Sequence, residues 1–235
     1  MFKQKVKAAG EGGVAVVKRY FFFSDTDVNT IGHDGQLALV EAAKNRHTEI
    51  VKLLLEKGAN VNKKDDRNRW LPLARATAAG HTEIVKLLLE NGAEVNKEDC
   101  KGYLPLVMAA ESGHTEIVKL LLEKGAKVNQ KNGLGWLPLV EATAKGHIKI
   151  VKLLLEKGAE VNKQDGGRRL PGYLPLVMAA ESRHTDIVKL LLETRADANK
   201  KDGFGHLPIG EAAAKGNIKI VKLLLEKGAE RRGWS

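Results

Sequence analysis

The sequence repeats itself with a period close to 33 residues, and this periodicity limits the possible fold more than any other feature. The segment from Gly80 to Asn96, GHTEIVKLLLENGAEVN, recurs in edited form from Arg46, Gly113, Gly146, Arg183 and Gly216. A second block, Leu-Pro-Leu or a close variant, precedes each copy. It begins at Leu37, Leu71, Leu104, Leu137, Leu174 and Leu207, with spacings of 34, 33, 33, 37 and 33 residues. The period predicts a stack in which each repeat contacts only its neighbours.

Each repeat is predicted to hold two short antiparallel helices. In the recurring segment, Ile84, Val85 and Leu88 follow the spacing of one helix face, and Gly92 comes next as a left-handed stop residue. In the block before it, Pro72 stands where the first turn of a helix tolerates the missing N–H. Small residues then lead to Gly80, which separates the two helices.

The segment from Leu104 to Asn129 resembles the ankyrin repeat almost position by position. That family's block is a turn followed by T-P-L-H-x-A-A-x-x-G-H and then a leucine-rich second helix that ends in G-A-x-V-N. The likeness covers nearly the whole chain. It implies an all-α solenoid of about seven stacked helix-turn-helix repeats, in which the turns between repeats protrude as fingers. We expect a single domain over residues 1–235, with a capping repeat at 1–30, six repeats at 31–230 and a tail at 231–235.

One departure from the family is systematic. The threonine that precedes Pro-Leu in the family is leucine in all six blocks, so a side-chain N-cap is missing six times. An N-cap typically stabilises a helix by about 1 kcal/mol. If Leu104 and Leu137 are exposed caps, threonine at both positions should raise the melting temperature.

Composition and cysteine content indicate the cellular environment. Hydrophobic residues make up 43% of the 235 residues but aromatic residues only 5%, so leucine, valine and alanine must supply the packing. The single cysteine, Cys100, excludes an intramolecular disulfide and fits a reducing compartment. No apolar run approaches the ~18 residues that a membrane span requires, and Met1 to Gly13 lacks the apolar core of a signal peptide. We expect a cytoplasmic or nuclear protein that does not enter a membrane.

The net charge of +10 raises the question of an acidic partner or of nucleic acid. Six lysines occupy one slot of the second helices, and glutamates lie three or four residues away from them. These lysines are Lys52, Lys86, Lys119, Lys152, Lys189 and Lys222. The pattern is typical of a solvated outer face, which weakens the case for nucleic acid. Because of the net positive charge, we expect a modest preference for a protein with an acidic surface, with nucleic acid the less favoured partner.

Nothing in the sequence points to catalysis or to a metal. Five histidines share one slot before the second helix, namely His47, His81, His114, His147 and His184. Stacking would place them about 8 to 10 Å apart, too far to share a zinc ion with bonds of ~2.0 Å. They are interpreted as structural hydrogen-bonding residues. None of the four serines has a histidine and a carboxylate at an unrepeated spacing. We expect no enzyme activity, cofactor, metal or small-molecule substrate.

The aromatic residues outside the two chain ends are confined to the fingers. Trp70, Tyr103, Trp136 and Tyr173, together with His206, stand directly before the Leu-Pro-Leu block, and Phe204 lies in the last finger. By resemblance to the family, this position faces a partner beside the first helices. A variable slot on those helices holds Glu41, Arg75, Met108, Glu141, Met178 and Glu211. The predicted partner-binding residues are Trp70, Arg75, Tyr103, Met108, Trp136, Glu141, Tyr173, Met178, Phe204 and His206.

Two functions remain open from the sequence. The favoured one is a protein-binding scaffold that uses its concave face and fingers, where tryptophan and tyrosine commonly dominate binding energy. The alternative is a basic scaffold for nucleic acid or an acidic polymer, with rings that stack on bases. Binding that falls steeply with salt would favour the alternative. The rings could also serve the stack itself by covering neighbouring turns.

The fifth full repeat, from Leu174 to Lys200, departs from the others. The turn before it carries four extra residues between Asp165 and Gly172. In addition, Arg183 and Arg195 replace the glycines that end its two helices. A residue with a side chain costs about 1 to 2 kcal/mol in the left-handed conformation. We expect this repeat to be the least stable part of the stack.

Overall fold

The computed structural model describes residues 7, 9, 11, 13–15, 27–32, 34–99, 101–167 and 171–229. Predictions about Cys100, about the tail and about most of the capping repeat fall outside these residues. The chain divides into two compact units. The N-terminal unit comprises Met1–Ala109 and Glu123–Ala126, and the C-terminal unit comprises Ala110–Leu122 and Lys127–Ser235.

The described residues are all-α, apart from one isolated antiparallel bridge between Ile31 and Leu37. From residue 34 to residue 229, outside the gaps, the helices form six consecutive pairs. They are α1 (Ala38–Lys44), α2 (Thr48–Glu56), α3 (Pro72–Ala78), α4 (Thr82–Glu90), α5 (Pro105–Glu111), α6 (Thr115–Glu123), α7 (Pro138–Ala144), α8 (Ile148–Glu156), α9 (Pro175–Glu181), α10 (Thr185–Glu193), α11 (Pro208–Ala214) and α12 (Ile218–Glu226). Six of the expected repeats are therefore present. A seventh would lie mainly in the part of residues 1–30 that is not described.

The helix ends follow the predicted signals. Proline opens the first helix in the repeats that contain it, as Pro138 does in α7. Gly92 and Gly125 follow second helices with φ angles of 84° and 87°, in the left-handed region. Arg183 and Arg195 adopt the same conformation, with φ angles of 62° and 69°. The prediction that two arginines are held in a conformation that favours glycine is confirmed.

The core of each unit lies between the first and second helices. Each second helix buries an isoleucine and, one turn later, a leucine, such as Ile150 and Leu154 of α8. First helices bury alanines, such as Ala142, which let neighbouring helices approach closely. In the C-terminal unit, α7, α9 and α11 pack in succession, and α8, α10 and α12 form a second row. In the N-terminal unit, α1 packs on α3 and α2 on α4.

Leu104 and Leu137 are buried and are not exposed caps, so the rise in melting temperature that exposed caps would give on substitution by threonine is not expected. Leu137 has an extended backbone, makes no side-chain cap hydrogen bond and is only 2% exposed. Leu104 is also buried. Burying a leucine side chain stabilises the fold by about 1.5–3 kcal/mol, which exceeds the ~1 kcal/mol of a cap. Leucine at this position therefore stabilises the fold by packing in the core, and this exceeds the stabilisation that a side-chain cap would give.

Asparagine side chains join successive repeats. Asn62 Nδ2 donates to the carbonyl oxygen of Gly92 at 3.0 Å, and Asn62 Oδ1 accepts from the N–H of Glu94 at 2.9 Å. Asn129 makes the same two bonds, to Gly158 and from Glu160. We call this pair of bonds the asparagine clamp. It recurs at Asn29 and Asn162.

Histidine side chains make a second link between repeats. His147 Nε2 donates to the carbonyl oxygen of Glu111 at 3.0 Å, and His81 and His184 bond in the same way to Lys44 and Ala144. The interpretation of these three histidines as structural hydrogen-bonding residues is confirmed.

Candidate functional site

A buried carboxylate or amide shapes each finger. The N–H of Asp99 donates to the carbonyl oxygen of Tyr103 at 3.1 Å, and Asp99 Oδ1 accepts from the N–H of Tyr103 at 2.8 Å. The same reciprocal pairing joins Asp65 to Trp70, Asn132 to Trp136, Asp165 to Tyr173 and Asp202 to His206. Four aspartates and one asparagine therefore hold the five ring-bearing residues in place.

In the N-terminal unit, the structure brings the predicted site residues together as part of the core. Trp70 and Tyr103 are half-buried and pack against a cluster that includes Leu71 and Met108. Met108 is only 7% exposed. Arg75 lies above the ring of Trp70, with Cζ 4.4 Å from the ring centroid. Here the rings pack against the core, an arrangement that fits the interpretation of the aromatic positions as part of the stack.

In the C-terminal unit, three predicted residues form a row of rings at the last two fingers. The ring centroids of Tyr173 and Phe204 are 4.8 Å apart, and those of Phe204 and His206 are 5.7 Å apart in a stacked arrangement. Phe204 is 44% exposed, an unusual exposure for a phenylalanine. We call Tyr173, Phe204 and His206 the ring row.

Two carboxylates adjoin the ring row. His206 Nδ1 lies 3.5 Å from Asp202 Oδ2 and 3.7 Å from Glu211 Oε1. Asp202 Oδ1 accepts from the N–H groups of Phe204 and His206, whereas the buried Oδ2 accepts no hydrogen bond. Neither residue is among the predicted partner-binding residues, because the sequence places Glu211 in the variable slot but does not show that it approaches His206.

Further carboxylates lie on the first-helix side of the C-terminal unit. Burial raises the pKa of Glu141 to about 7, and the Glu111 and Asp165 carboxylates add to this rise while Lys145 opposes it. Burial also raises the pKa of Asp165 to about 6, against the hydrogen bond from the Tyr173 N–H. Both carboxyl groups therefore hold their protons more tightly than exposed carboxyl groups do.

The other two candidates in this unit are less exposed than Phe204. Trp136 is half-buried, and its N–H donates to Asn132 Oδ1 at 2.9 Å. Met178 is half-buried on α9. Four predicted residues lie in the last two fingers or on the first helix between them. Three of them, Tyr173, Phe204 and His206, form the row of ring contacts.

The lysines of the second helices have the surroundings expected of a solvated face. Lys52 Nζ lies 2.9 Å from Glu49 Oε1 and 3.6 Å from Glu83 Oε1. Lys86 and Lys152 are exposed. Among the described residues, no group of three or more histidine, cysteine, aspartate or glutamate side chains could hold a metal ion, and no helix is long and apolar enough to cross a membrane.

Comparison with known proteins agrees with the architecture. The family model for ankyrin repeats (3 copies) matches residues 6–99, 92–165 and 167–232. The crystal structure of the human ASB11 ankyrin repeat domain is similar with a TM-score of 0.81 and 27% sequence identity, over 96% of this chain and 97% of that one. Because 633 chains of solved structure match significantly, the fold alone does not select a partner. No curated protein matches the sequence significantly. The chain belongs to the ankyrin repeat family.

Proposed function

We propose that this protein is a non-catalytic scaffold that binds another protein through its concave face, formed by the first helices, and through its fingers. Ankyrin repeats generally bind proteins. The proposed contacts are Trp70, Arg75, Tyr103, Met108, Trp136, Glu141, Tyr173, Met178, Phe204 and His206. A cytoplasmic or nuclear location is part of the proposal and rests on the single cysteine.

The observation that carries the proposal is the exposed ring of Phe204 in the ring row. Its backbone N–H donates to Asp202 Oδ1 at 2.9 Å, so the finger that presents the ring is held from within. Large rings that are already ordered lose little entropy on binding, and such residues commonly contribute most of the energy of an interface. Burying this ring against a partner would also remove its apolar surface from water.

The net charge of +10 favours a partner with an acidic surface. The same charge motivates the alternative, a scaffold for nucleic acid or an acidic polymer. In that case binding should depend on lysines such as Lys86 and Lys152 and should fall steeply with salt. The Glu211 carboxylate, with Oε1 3.7 Å from His206 Nδ1 in the ring row, weighs against a polyanion at the fingers of the C-terminal unit.

Capture of partners from cell lysate, with and without nuclease, tests the proposal. The variants are Tyr173→Ala and Phe204→Ala, with Lys86→Ala and Lys152→Ala as matched changes on the outer face. We expect each ring variant to lower the affinity for a captured protein by about tenfold or more. The lysine variants should change it little at physiological salt. The C-terminal unit is the better place for this test, because Trp70 and Tyr103 also pack against the core.

Melting temperatures complete the experiment. A ring variant that loses affinity at an unchanged melting temperature supports recognition. A variant that melts earlier but still binds shows that the rings are structural. Capture that disappears after nuclease, or that depends on the lysines more than on the rings, replaces the proposal with the nucleic-acid alternative.

A further inference from the structure

We propose that the ring row, together with Glu211, binds an arginine side chain presented by the partner. This inference rests on the proposed function and specifies the chemistry of the partner at one site. The chain contains its own example of the interaction, in the N-terminal unit.

That example is the contact between Arg75 and Trp70. The ring residue stands directly before the Leu-Pro-Leu block and the arginine five residues later, and the guanidinium lies 4.4 Å from the ring centroid. In the last repeat, the same two positions hold His206 and Glu211. The position that supplies a cation in the N-terminal unit therefore supplies a carboxylate here. The Nζ of Lys215, the residue that follows the helix of Glu211, lies 3.7 Å from Oε1 of Glu181.

Glu211 is the carboxylate beside the rings that a partner can reach. The Asp202 side chain has no exposed surface, and its Oδ2 lies 3.5 Å from His206 Nδ1 inside the finger. Glu211 Oε1 lies 3.7 Å from the same nitrogen, with its side chain 19% exposed.

Arginine suits this arrangement better than lysine does. A guanidinium is planar, stacks on aromatic faces, and carries five N–H donors that match carboxylate oxygens. It is also more weakly hydrated than an ammonium group, so it loses less on entering a partly buried site. The Phe204 ring, which is 44% exposed, offers aromatic surface, and Glu211 offers the accompanying acceptor.

The test is an NMR titration of the full chain with an acetylated and amidated tetra-arginine peptide, at about 0.1 M salt. Tetra-lysine and tetra-glutamate peptides serve as comparisons. The variants are Glu211→Gln and Phe204→Ala. Their matched controls are Glu226→Gln, which removes an equal charge from the second helix, and Leu134→Ala, which shortens the residue at the same place in another finger.

We expect tetra-arginine to shift the amide signals of Phe204, His206 and Glu211 and to bind at least about threefold more tightly than tetra-lysine. Glu211→Gln and Phe204→Ala should each weaken binding by about fivefold or more, and the control variants by less than about twofold. The inference is overturned if the shifts spread over all exposed acidic residues, if Glu226→Gln weakens binding as much as Glu211→Gln, or if tetra-glutamate binds more tightly.

The two proposals fail in different ways. If tetra-arginine misses the ring row while Tyr173→Ala and Phe204→Ala still abolish capture of a protein, only the arginine site is wrong. If those ring variants leave capture unchanged, the proposed use of the fingers is wrong whatever the peptide does.

Discussion

At the scale of single residues, Leu137 shows how burial can outweigh a helix cap. Its side chain is packed inside the C-terminal unit, and its extended backbone still lets α7 begin at Pro138. Threonine at this position would gain a cap of about 1 kcal/mol. It would also leave a cavity, and large-to-small changes in a core commonly cost about 2–5 kcal/mol.

We therefore expect Leu137→Thr to lower the free energy of unfolding by about 1–3 kcal/mol, as measured by urea denaturation. Leu207→Thr is the matched variant, because Leu207 is only half-buried and should lose less. A rise in stability for Leu137→Thr would show that the missing cap matters more than the packing.

Glu141 makes stability depend on pH, because the folded chain holds its proton more tightly than the unfolded chain does. Its pKa rises from 4.5 to about 7 on folding. Between these two values folding takes up a proton, so the free energy of unfolding falls as the pH rises through this window. The cost is complete above the folded-state pKa and is absent below 4.5. Asp165 contributes in the same direction, since its pKa rises from 3.8 to about 6.

Glu141→Gln should raise the free energy of unfolding by about 1 kcal/mol near pH 8, a value reduced for the partial exposure of the carboxyl. Near pH 5 the gain should largely vanish. Urea denaturation at the two pH values measures this, with Glu156→Gln on the outer face as the control. An equal gain at both pH values would indicate a cause other than ionisation.

The residue scale also shows what the sequence could and could not predict. The φ angles of Arg183 and Arg195 follow from their places in the repeat, because any residue there must end a helix in the left-handed conformation. The burial of Leu137 and Met108 did not follow, because it depends on which neighbouring side chains fill the space. Likewise, the approach of Asp202 and Glu211 to His206 required the three-dimensional arrangement of finger and helix.

At the scale of elements, α10 is the helix with an unfavourable residue at both of its boundaries. Arg183 lies in the turn before it and Arg195 in the turn after it, both in the left-handed conformation. The other second helices of the C-terminal unit are followed by glycine, as α8 is by Gly158. The local cost is not shared with distant repeats, because each repeat interacts with its neighbours alone.

Hydrogen exchange should find Ile187 to Leu192 less protected than Ile117 to Leu122. Arg195→Gly should remove part of this difference by stabilising the repeat by about 1 kcal/mol. Gly158→Arg is the converse change at a site where a Cβ meets nothing within 4 Å. It should lower protection in α8. Equal protection of the two stretches in the unaltered protein would contradict this account.

At the scale of the whole molecule, the periodicity predicted the class of fold, the helix pairs and the family. Each of these depends on a sequence pattern that occurs six times in the chain. The candidate site was predicted less completely, because it depends on differences between repeats. Arg75 covers a ring in one unit, while Glu211 stands beside one in the other. Equivalent positions in different repeats therefore carry opposite charges. The net charge of +10 does not predict the local charge at either position.

The asparagine clamp has a consequence for how such a chain is inherited. Asn129 and Asn162 make the same bonds to the repeat that follows, although one following repeat presents Gly158 and the other Arg195. The segment GYLPLVMAAES occurs at Gly102 and again at Gly172, which indicates that a block of two repeats was duplicated. A duplicated block has the donors and acceptors of the asparagine clamp at both of its ends. Gene duplication can therefore lengthen the protein with the same contacts between repeats. Later mutations can then change the fingers of each copy separately.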